Sequence, residues 1–216
     1  NSFIIADPAC AWVLETAGRH WVAKKVDAFA AISNCLTIEA DFDRKSEGIE
    51  DFARKNGWLP KNRDFNFRKV FDTRLMPYFA GAKKRLATSQ KCLNDMARSH
   101  QTGLHQMMNS LRTHFGPDAS PAQGSNADVC MHAGGIIRRS QTCGSMVSLL
   151  TAAGHEHYFT GTSAPCLSVF KPAGFDYDHP YSVLNPDEQT IEGSLWARHE
   201  QIHRRLLFDE KGRREL

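Results

Sequence analysis

The chain has 216 residues, of which 41% are hydrophobic and 24% are charged, and its formal net charge is +3. This composition is typical of a globular domain and excludes a disordered or fibrous chain. No run approaches the ~18 consecutive apolar residues of a membrane span. A charge of +3 is too small to indicate nucleic acid, which is bound by clustered Lys and Arg. We therefore expect neither a membrane nor a nucleic-acid partner.

The six cysteines are too sparse for a disulfide-stapled scaffold, and no two of them are spaced C-x-x-C. They are Cys10, Cys35, Cys92, Cys130, Cys143 and Cys166. Reduced thiols used mostly in packing are the simplest interpretation, because free Cys is often buried. The sequence therefore predicts a cytoplasmic protein.

The first part of the chain has the pattern of an antiparallel β-meander. Short β-rich runs alternate with tight turns such as Asp7-Pro8. The predicted strands are 3–6, 11–16, 20–26 and 29–33. We expect residues 2–34 to form an antiparallel sheet because the connections are too short for parallel crossovers.

The middle of the chain has the pattern of helices. Ser46 is a candidate N-cap for a first helix, and Gly57 is a candidate stop. Residues 67–115 are predicted to be mostly helical, with breaks at Pro77 and Ser99. The strongest apolar stripe is formed by Leu104, Met107, Met108, Leu111 and Phe115. Their helical spacing predicts a face that packs in a core.

The last part returns to strands and closes with a helix. The predicted strands are 129–133, 142–150, 155–160 and 167–170. Residues 171–193 are rich in Pro and are expected to be extended. The closing helix is indicated by an apolar stripe that begins at Leu195 and includes His199. Segregated strands and helices predict the α+β class rather than alternating β-α units.

The closing helix carries the pattern H-E-x-x-H, formed by His199, Glu200 and His203. Two His at i and i+4 can hold Zn²⁺ with Glu as the base. However, Arg204 and Arg205 follow at once, and no third ligand is indicated. The sequence therefore predicts an amphipathic helix without zinc.

Two other groupings invite a metal or a thiol interpretation. His155 and His157 would share one face of a strand, but no third ligand is evident. Cys130 and His132 suggest a nucleophile and its base, but adjacency in sequence along a strand is expected to send neighbours to opposite faces. We expect neither grouping to form a site, and we expect the internal cysteines to lack a base.

Asn34 follows a predicted strand and a Ser. An Asn amide at a strand end can donate hydrogen bonds to an oxyanion. An isolated Asn in such a place is more often a turn residue. Both interpretations stay open from the residue alone.

Several segments, in order along the chain, resemble the secernin family and its bacterial dipeptidase-like relatives. They are residues 1–7, 11–21, 32–34, 140–148, 158–165, 168–172 and 195–204. The resemblance is weakest between about residues 40 and 127. It also accounts for H-E-x-x-H without zinc, because the closing helix itself resembles that of the family.

The resemblance implies an N-terminal-nucleophile hydrolase with an αββα sandwich, whose first residue after processing is a catalytic Cys. In that chemistry the thiolate attacks an amide carbonyl, with the residue's own α-amine as base. This chain starts at Asn1. We therefore expect residues 1–216 to be a single domain that is the C-terminal portion of a larger, here incomplete, hydrolase domain. The missing N-terminal portion would be its partner.

The resemblance also implies supporting roles for Asn34 and, more weakly, Arg85. The first hypothesis is a dipeptidase-type amide hydrolase that acts on small peptides or amides, seen without its nucleophile. It implies no cofactor and no metal. The alternative is a non-enzymatic, secernin-like regulatory or binding protein, since a fold does not fix a function. A homo-oligomer is compatible with either.

Overall fold

The computed structural model of the protein describes residues 1–73, 80–114, 125–133, 140–174 and 194–208. The chain divides into two units, Asn1–Leu93 and Asn94–Leu216. Both contain helices and antiparallel sheet, so the predicted α+β class is confirmed at that level. No helix within the described ranges is both long and apolar enough to cross a membrane.

The first unit is built on a four-stranded antiparallel sheet in the order β1-β2-β3-β4. Its strands are β1 (Ser2–Ala6), β2 (Ala11–Ala17), β3 (His20–Lys25) and β4 (Arg44–Lys45). The Asp7 carboxylate closes the first turn by accepting hydrogen bonds from the backbone N–H groups of Ala9 and Cys10, at 2.7 and 2.8 Å. Gly18 turns the second connection with a φ of +61°, which an L side chain rarely adopts. The first three predicted strands are therefore confirmed.

The fourth predicted strand, 29–33, is wrong. The edge of β3 pairs instead with β4, through Val22 opposite Lys45 and Ala23 opposite Arg44. Near the predicted strand only an isolated bridge between Ser33 and Cys35 occurs. The physical reason is tertiary: the backbone that follows satisfies its N–H groups on a buried carboxylate, described below, rather than on a neighbouring strand.

Three helices follow in the order α1 (Ile49–Lys55), α2 (Phe67–Phe71) and α3 (Ala82–Ser99). The predicted cap at Ser46 is wrong, because α1 begins after Gly48. The Ser46 hydroxyl instead accepts a hydrogen bond from the backbone N–H of Trp21. Gly57 does lie just beyond the end of α1, with a φ of +73°. The predicted break at Pro77 lies outside the described residues.

The core of the first unit lies between the sheet and the first two helices. Its buried members are Val13, Val22, Leu36, Ile38, Ile49, Ala53, Leu59, Phe65 and Phe67. Phe67 and Val22 are completely buried. The alternation of apolar residues along β2 and β3 places one face of the sheet in this core.

The second unit contains α4 (Leu104–Leu111), a three-stranded antiparallel sheet and the closing helix α5 (Leu195–Phe208). The sheet order is β5 (Met146–Thr151), β6 (Gly154–Phe159) and β7 (Lys171–Ala173). The closing helix and the β5–β6 hairpin are confirmed. Strands at 129–133 and 167–170 were predicted wrongly, and the third strand is β7.

The apolar stripe on α4 packs as predicted only in part. Met108 is buried with Val147 and Phe170, and Leu104 and Leu111 pack against them. Met107 is 36% exposed, and Phe115 lies outside the described residues. Most of the predicted extended segment, residues 175–193, also lies outside them.

Candidate active site

The first unit contains a cavity of about 960 Å³ around residues 32–36. The ends of β1 and β2 form one wall, and the end of α2 with Asp72 and Thr73 forms another. Asn34 and Cys35 both line it. The sequence placed Asn34 at the end of a strand that does not form, and the structure places it instead in the lining of a cavity large enough for a small molecule.

The segment that carries Asn34 is held by Glu15, a completely buried carboxylate on β2. Glu15 accepts hydrogen bonds from the backbone N–H of Thr37 at 2.7 Å, from its hydroxyl at 2.8 Å and from the N–H of Ile38 at 3.0 Å. The Ser2 hydroxyl donates to the same carboxylate at 3.2 Å. A buried carboxylate is stable only when its oxygens are satisfied in this way. Sequence reasoning missed Glu15, although Glu on an otherwise apolar strand face was a usable signal.

Asn34 and Arg85 meet in the first unit, although 51 positions separate them. The Arg85 Nη2 group donates to Asn34 Oδ1 at 2.6 Å, and Nη1 donates to the carbonyl of Ala80. Because a guanidinium has only donors, Oδ1 must face it, and the Asn34 Nδ2 group then points away with both hydrogens. Arg85 therefore fixes the orientation of the amide of Asn34, a residue that lines the cavity.

Arg85 is half-buried at the start of α3, and Asn34 is exposed to the cavity. Burial lowers the pKa of the Arg85 guanidinium from its ordinary value. The arrangement supplies one positive charge and one pair of amide donors beside a space for a ligand. This can stabilise a developing oxyanion or a carboxylate.

Cys35 is the one cysteine among the described residues that line this cavity. It is buried, and that burial raises the pKa of its thiol. The thiolate is the nucleophilic form, so Cys35 is poorly suited to attack a carbonyl at neutral pH. The described lining therefore offers supporting groups but no activated thiol.

A second grouping lies in the second unit and brings together two His and two Cys. It consists of His114, Cys130, His132 and Cys166, whose ligand atoms all lie within 4.8 Å of one another. His132 Nε2 lies 3.0 Å from His114 Nε2, 3.6 Å from Cys130 Sγ and 3.3 Å from Cys166 Sγ. Within the described ranges, this is the one group of three or more such residues that could hold a metal ion.

The expectation that Cys130 and His132 stay apart, and that internal cysteines lack a base, was wrong for Cys130. Residues at i and i+2 of an extended chain share a face, so the pair should have been considered. Hydrogen bonds from Cys166, His114 and His132 lower the pKa of Cys130. The hydrogen bond between Cys166 and Cys130 raises the pKa of the Cys166 thiol. The distances along the chain to His114 and Cys166 concealed the full group from sequence reasoning.

Two of the H-E-x-x-H residues, His199 and Glu200, form hydrogen bonds with protein groups, whereas the buried ring nitrogens of His203 have no hydrogen-bond partner among the described residues. His199 Nε2 lies 2.7 Å from the carbonyl of Ser163 and 3.1 Å from the Ser168 hydroxyl. His203 is buried, with Nδ1 3.6 Å from the Glu200 carboxylate, and burial lowers the pKa of His203. These partners are those of a packed helix, and the absence of zinc there stays a prediction.

The His155 and His157 rings lie 6.5 Å apart on the exposed strand β6. His157 Nδ1 lies 2.8 Å from the Ser148 hydroxyl on β5. The strand register therefore gives His157 a cross-strand partner. No further metal-ligating residue joins this pair in the part of the chain that the structure describes.

Comparison with known proteins gives a family and one similar relative. A probable dipeptidase from Latilactobacillus sakei is 37% identical over 82 residues, which are 34% of this chain and 17% of that protein. The chain thus spans only about a sixth of the relative's length. The sequence profile of peptidase family C69 matches residues 1–111, more than half of the chain and all of the first unit. The chain therefore belongs to peptidase family C69.

Proposed function

We propose that this chain forms part of a cysteine-dependent hydrolase of amide bonds in small peptides, of the dipeptidase type. Membership of a peptidase family supports hydrolysis of peptides. The probable dipeptidase that it resembles supports short substrates. The single observation that carries the proposal is the hydrogen bond between Arg85 and Asn34 beside a cavity in the family-matched unit.

In this proposal Asn34 donates from Nδ2 to the oxygen of the scissile carbonyl as negative charge develops on it. Arg85 is a positioning residue, because its Nη2–Oδ1 bond fixes which end of the Asn34 amide faces the substrate. Glu15 supports Asn34, since it accepts hydrogen bonds from the backbone of Thr37 and Ile38 just after it. Pre-oriented donors of this kind stabilise the transition state without reorganisation.

The nucleophile in this proposal is a cysteine that the described lining of the cavity does not supply. Cys35 is excluded from that role by its burial and raised pKa. An N-terminal-nucleophile arrangement, with an αββα sandwich completed by residues beyond this chain, is the form that the resemblance favours. The α-amine of such a residue would accept the thiol proton.

The test uses the complete gene product that contains this chain, assayed on a panel of dipeptides. Asn34→Ala is expected to lower kcat by about 10²–10³, the usual cost of one oxyanion donor, with little change in KM. Asn62→Ala changes an exposed loop Asn and serves as the matched control. Thermal melts of both variants show whether the fold is intact.

Arg85→Lys and Arg85→Ala separate positioning from packing. Lys keeps a cation that can donate to Asn34 Oδ1, so it is expected to retain more kcat than Ala does. Full activity of Asn34→Ala would remove Asn34 from the site. Dipeptide turnover that survives thiol alkylation would refute the cysteine mechanism. A wild-type protein that hydrolyses no dipeptide of the panel would favour the non-enzymatic, secernin-like alternative.

A further inference from the structure

Three separate segments of the second unit bring soft metal ligands to one point. His114 follows α4, Cys130 and His132 lie in the segment 125–133, and Cys166 lies in the turn before β7. Cys130 and His132 are almost completely buried, with exposed fractions of 0% and 1%. Two thiols and two imidazoles that meet at a partly buried point, without a carboxylate among them, are not the composition of an ordinary apolar core.

The distances from His132 Nε2 to the other ligand atoms lie within about 0.3 Å of those in a tetrahedral zinc site. With Zn–S of about 2.3 Å and Zn–N of about 2.05 Å, tetrahedral geometry places S and N about 3.6 Å apart and two N about 3.3 Å apart. The corresponding distances are 3.6 and 3.3 Å from His132 Nε2 to the two sulfurs and 3.0 Å to His114 Nε2. All ligand atoms lie within 4.8 Å of one another, so side-chain shifts of about 1 Å bring the four to tetrahedral distances around one ion.

From this geometry we infer that His114, Cys130, His132 and Cys166 bind one Zn²⁺ ion as a closed, structural Cys₂His₂ site. Thiolate and imidazole ligands favour zinc over magnesium or calcium, which prefer oxygen. Four protein ligands leave no open position for substrate water, so the ion stabilises the fold and takes no part in hydrolysis. The inference is independent of the proposed dipeptidase activity, because the Asn34 cavity belongs to the other unit.

The described apolar cluster beside α4 shows why such an ion would matter. It has three buried members, Met108, Val147 and Phe170. A small cluster of this kind is commonly reinforced by a metal or by disulfides. An ion at this site connects the end of α4 to two loops that are distant along the chain. The free energy of metal binding then contributes to the stability of the fold.

The test is metal analysis of the complete protein, purified without a polyhistidine tag. We expect one zinc per chain, and zinc-edge X-ray absorption is expected to fit two S at about 2.3 Å and two N at about 2.0 Å. Cys166→Ser and Cys130→Ser are expected to lose most of the zinc. Cys143→Ser is the matched control, because Cys143 is exposed and lies outside the group.

A second measurement uses the wild type alone, so that unfolding of a variant cannot obscure the answer. Chelation is expected to make Cys130 and Cys166 reactive toward iodoacetamide, and added zinc is expected to protect them.

The outcomes that would overturn the inference come from both measurements. An absorption spectrum fitted without sulfur, or zinc retained in Cys166→Ser but lost in His199→Gln, would favour the H-E-x-x-H residues as the ligands instead. Zinc-free protein with a Cys130–Cys166 disulfide, or with thiols that added zinc does not protect, would also overturn it.

Discussion

Replacing Glu15 by Gln tests whether a buried carboxylate organises the segment that carries Asn34. The change keeps the shape of the side chain but replaces one acceptor oxygen by an NH₂ group. Glu15 Oε2 accepts from the backbone N–H groups of Ile38 and Thr37, at 3.0 and 2.9 Å, and Oε1 accepts from the N–H and hydroxyl of Thr37 and the hydroxyl of Ser2. In the variant, an NH₂ group at Oε2 faces the N–H of Ile38, whereas an NH₂ group at Oε1 leaves the N–H of Thr37 with only one of its two acceptor oxygens. In both orientations the charge of the buried acceptor is lost.

The expected cost follows from those contacts. Hydrogen bonds to a charged acceptor contribute about 1.5–3 kcal/mol each and those to a neutral acceptor about 0.5–1.5 kcal/mol, and several bonds to Glu15 lose this difference together. Together we expect the free energy of unfolding of the first unit to fall by about 2–4 kcal/mol. That is a large part of the 5–15 kcal/mol that typically stabilises a domain.

The assay is urea unfolding followed by tryptophan fluorescence. Three of the four tryptophans, Trp12, Trp21 and Trp58, lie in the first unit. Glu47→Gln changes an exposed carboxylate and is expected to stay within about 0.5 kcal/mol of the wild type. Hydrogen exchange of the Thr37 and Ile38 amides is expected to accelerate in Glu15→Gln only. A loss below about 1 kcal/mol with unchanged exchange would refute the assigned role, because the loss of the charged acceptor alone should cost that much.

Two further predictions concern the first unit. Phe67→Ala removes a completely buried ring and is expected to lower the free energy of unfolding in urea by about 3–5 kcal/mol. Phe29→Ala changes a side chain that is 40% exposed and is expected to lower it far less. Equal losses in the two variants would contradict the core described above. The hydrogen bond from Lys24 lowers the pKa of Asp41 below its ordinary value. This pair therefore stabilises the fold at a pH above the pKa that Asp has in the unfolded chain. The stabilisation is lost as the pH falls through the lower pKa of Asp41 in the folded protein. Because both side chains are largely exposed, Asp41→Asn is expected to cost under about 1 kcal/mol at pH 7 and nothing at low pH or high salt, and a difference that persists in acid would contradict the assignment.

The strands, turns and helices that depend on nearby residues could be predicted from local patterns in the sequence. The turns at Asp7 and Gly18 fix the β1–β2–β3 meander, because a carboxylate that caps its own turn and a residue with positive φ act within a few positions. The closing helix followed from its apolar period. The resemblance to the dipeptidase-like family also lay in contiguous residues, and the match of peptidase family C69 over residues 1–111 agrees with it.

The tertiary structure decided everything that depends on residues far apart in the chain. Residues 29–33 are no strand, because Arg44 and Lys45 pair with β3 and Glu15 binds the backbone of Thr37 and Ile38. Arg85 reaches Asn34 across 51 positions.

The Cys₂His₂ group likewise depends on residues that are far apart along the chain. Only the pair Cys130 and His132 has a spacing that sequence can interpret, while His114 and Cys166 lie 18 and 34 positions from His132. No periodicity encodes such separations, since they are set by how the loops pack and not by the repeat of a helix or a strand.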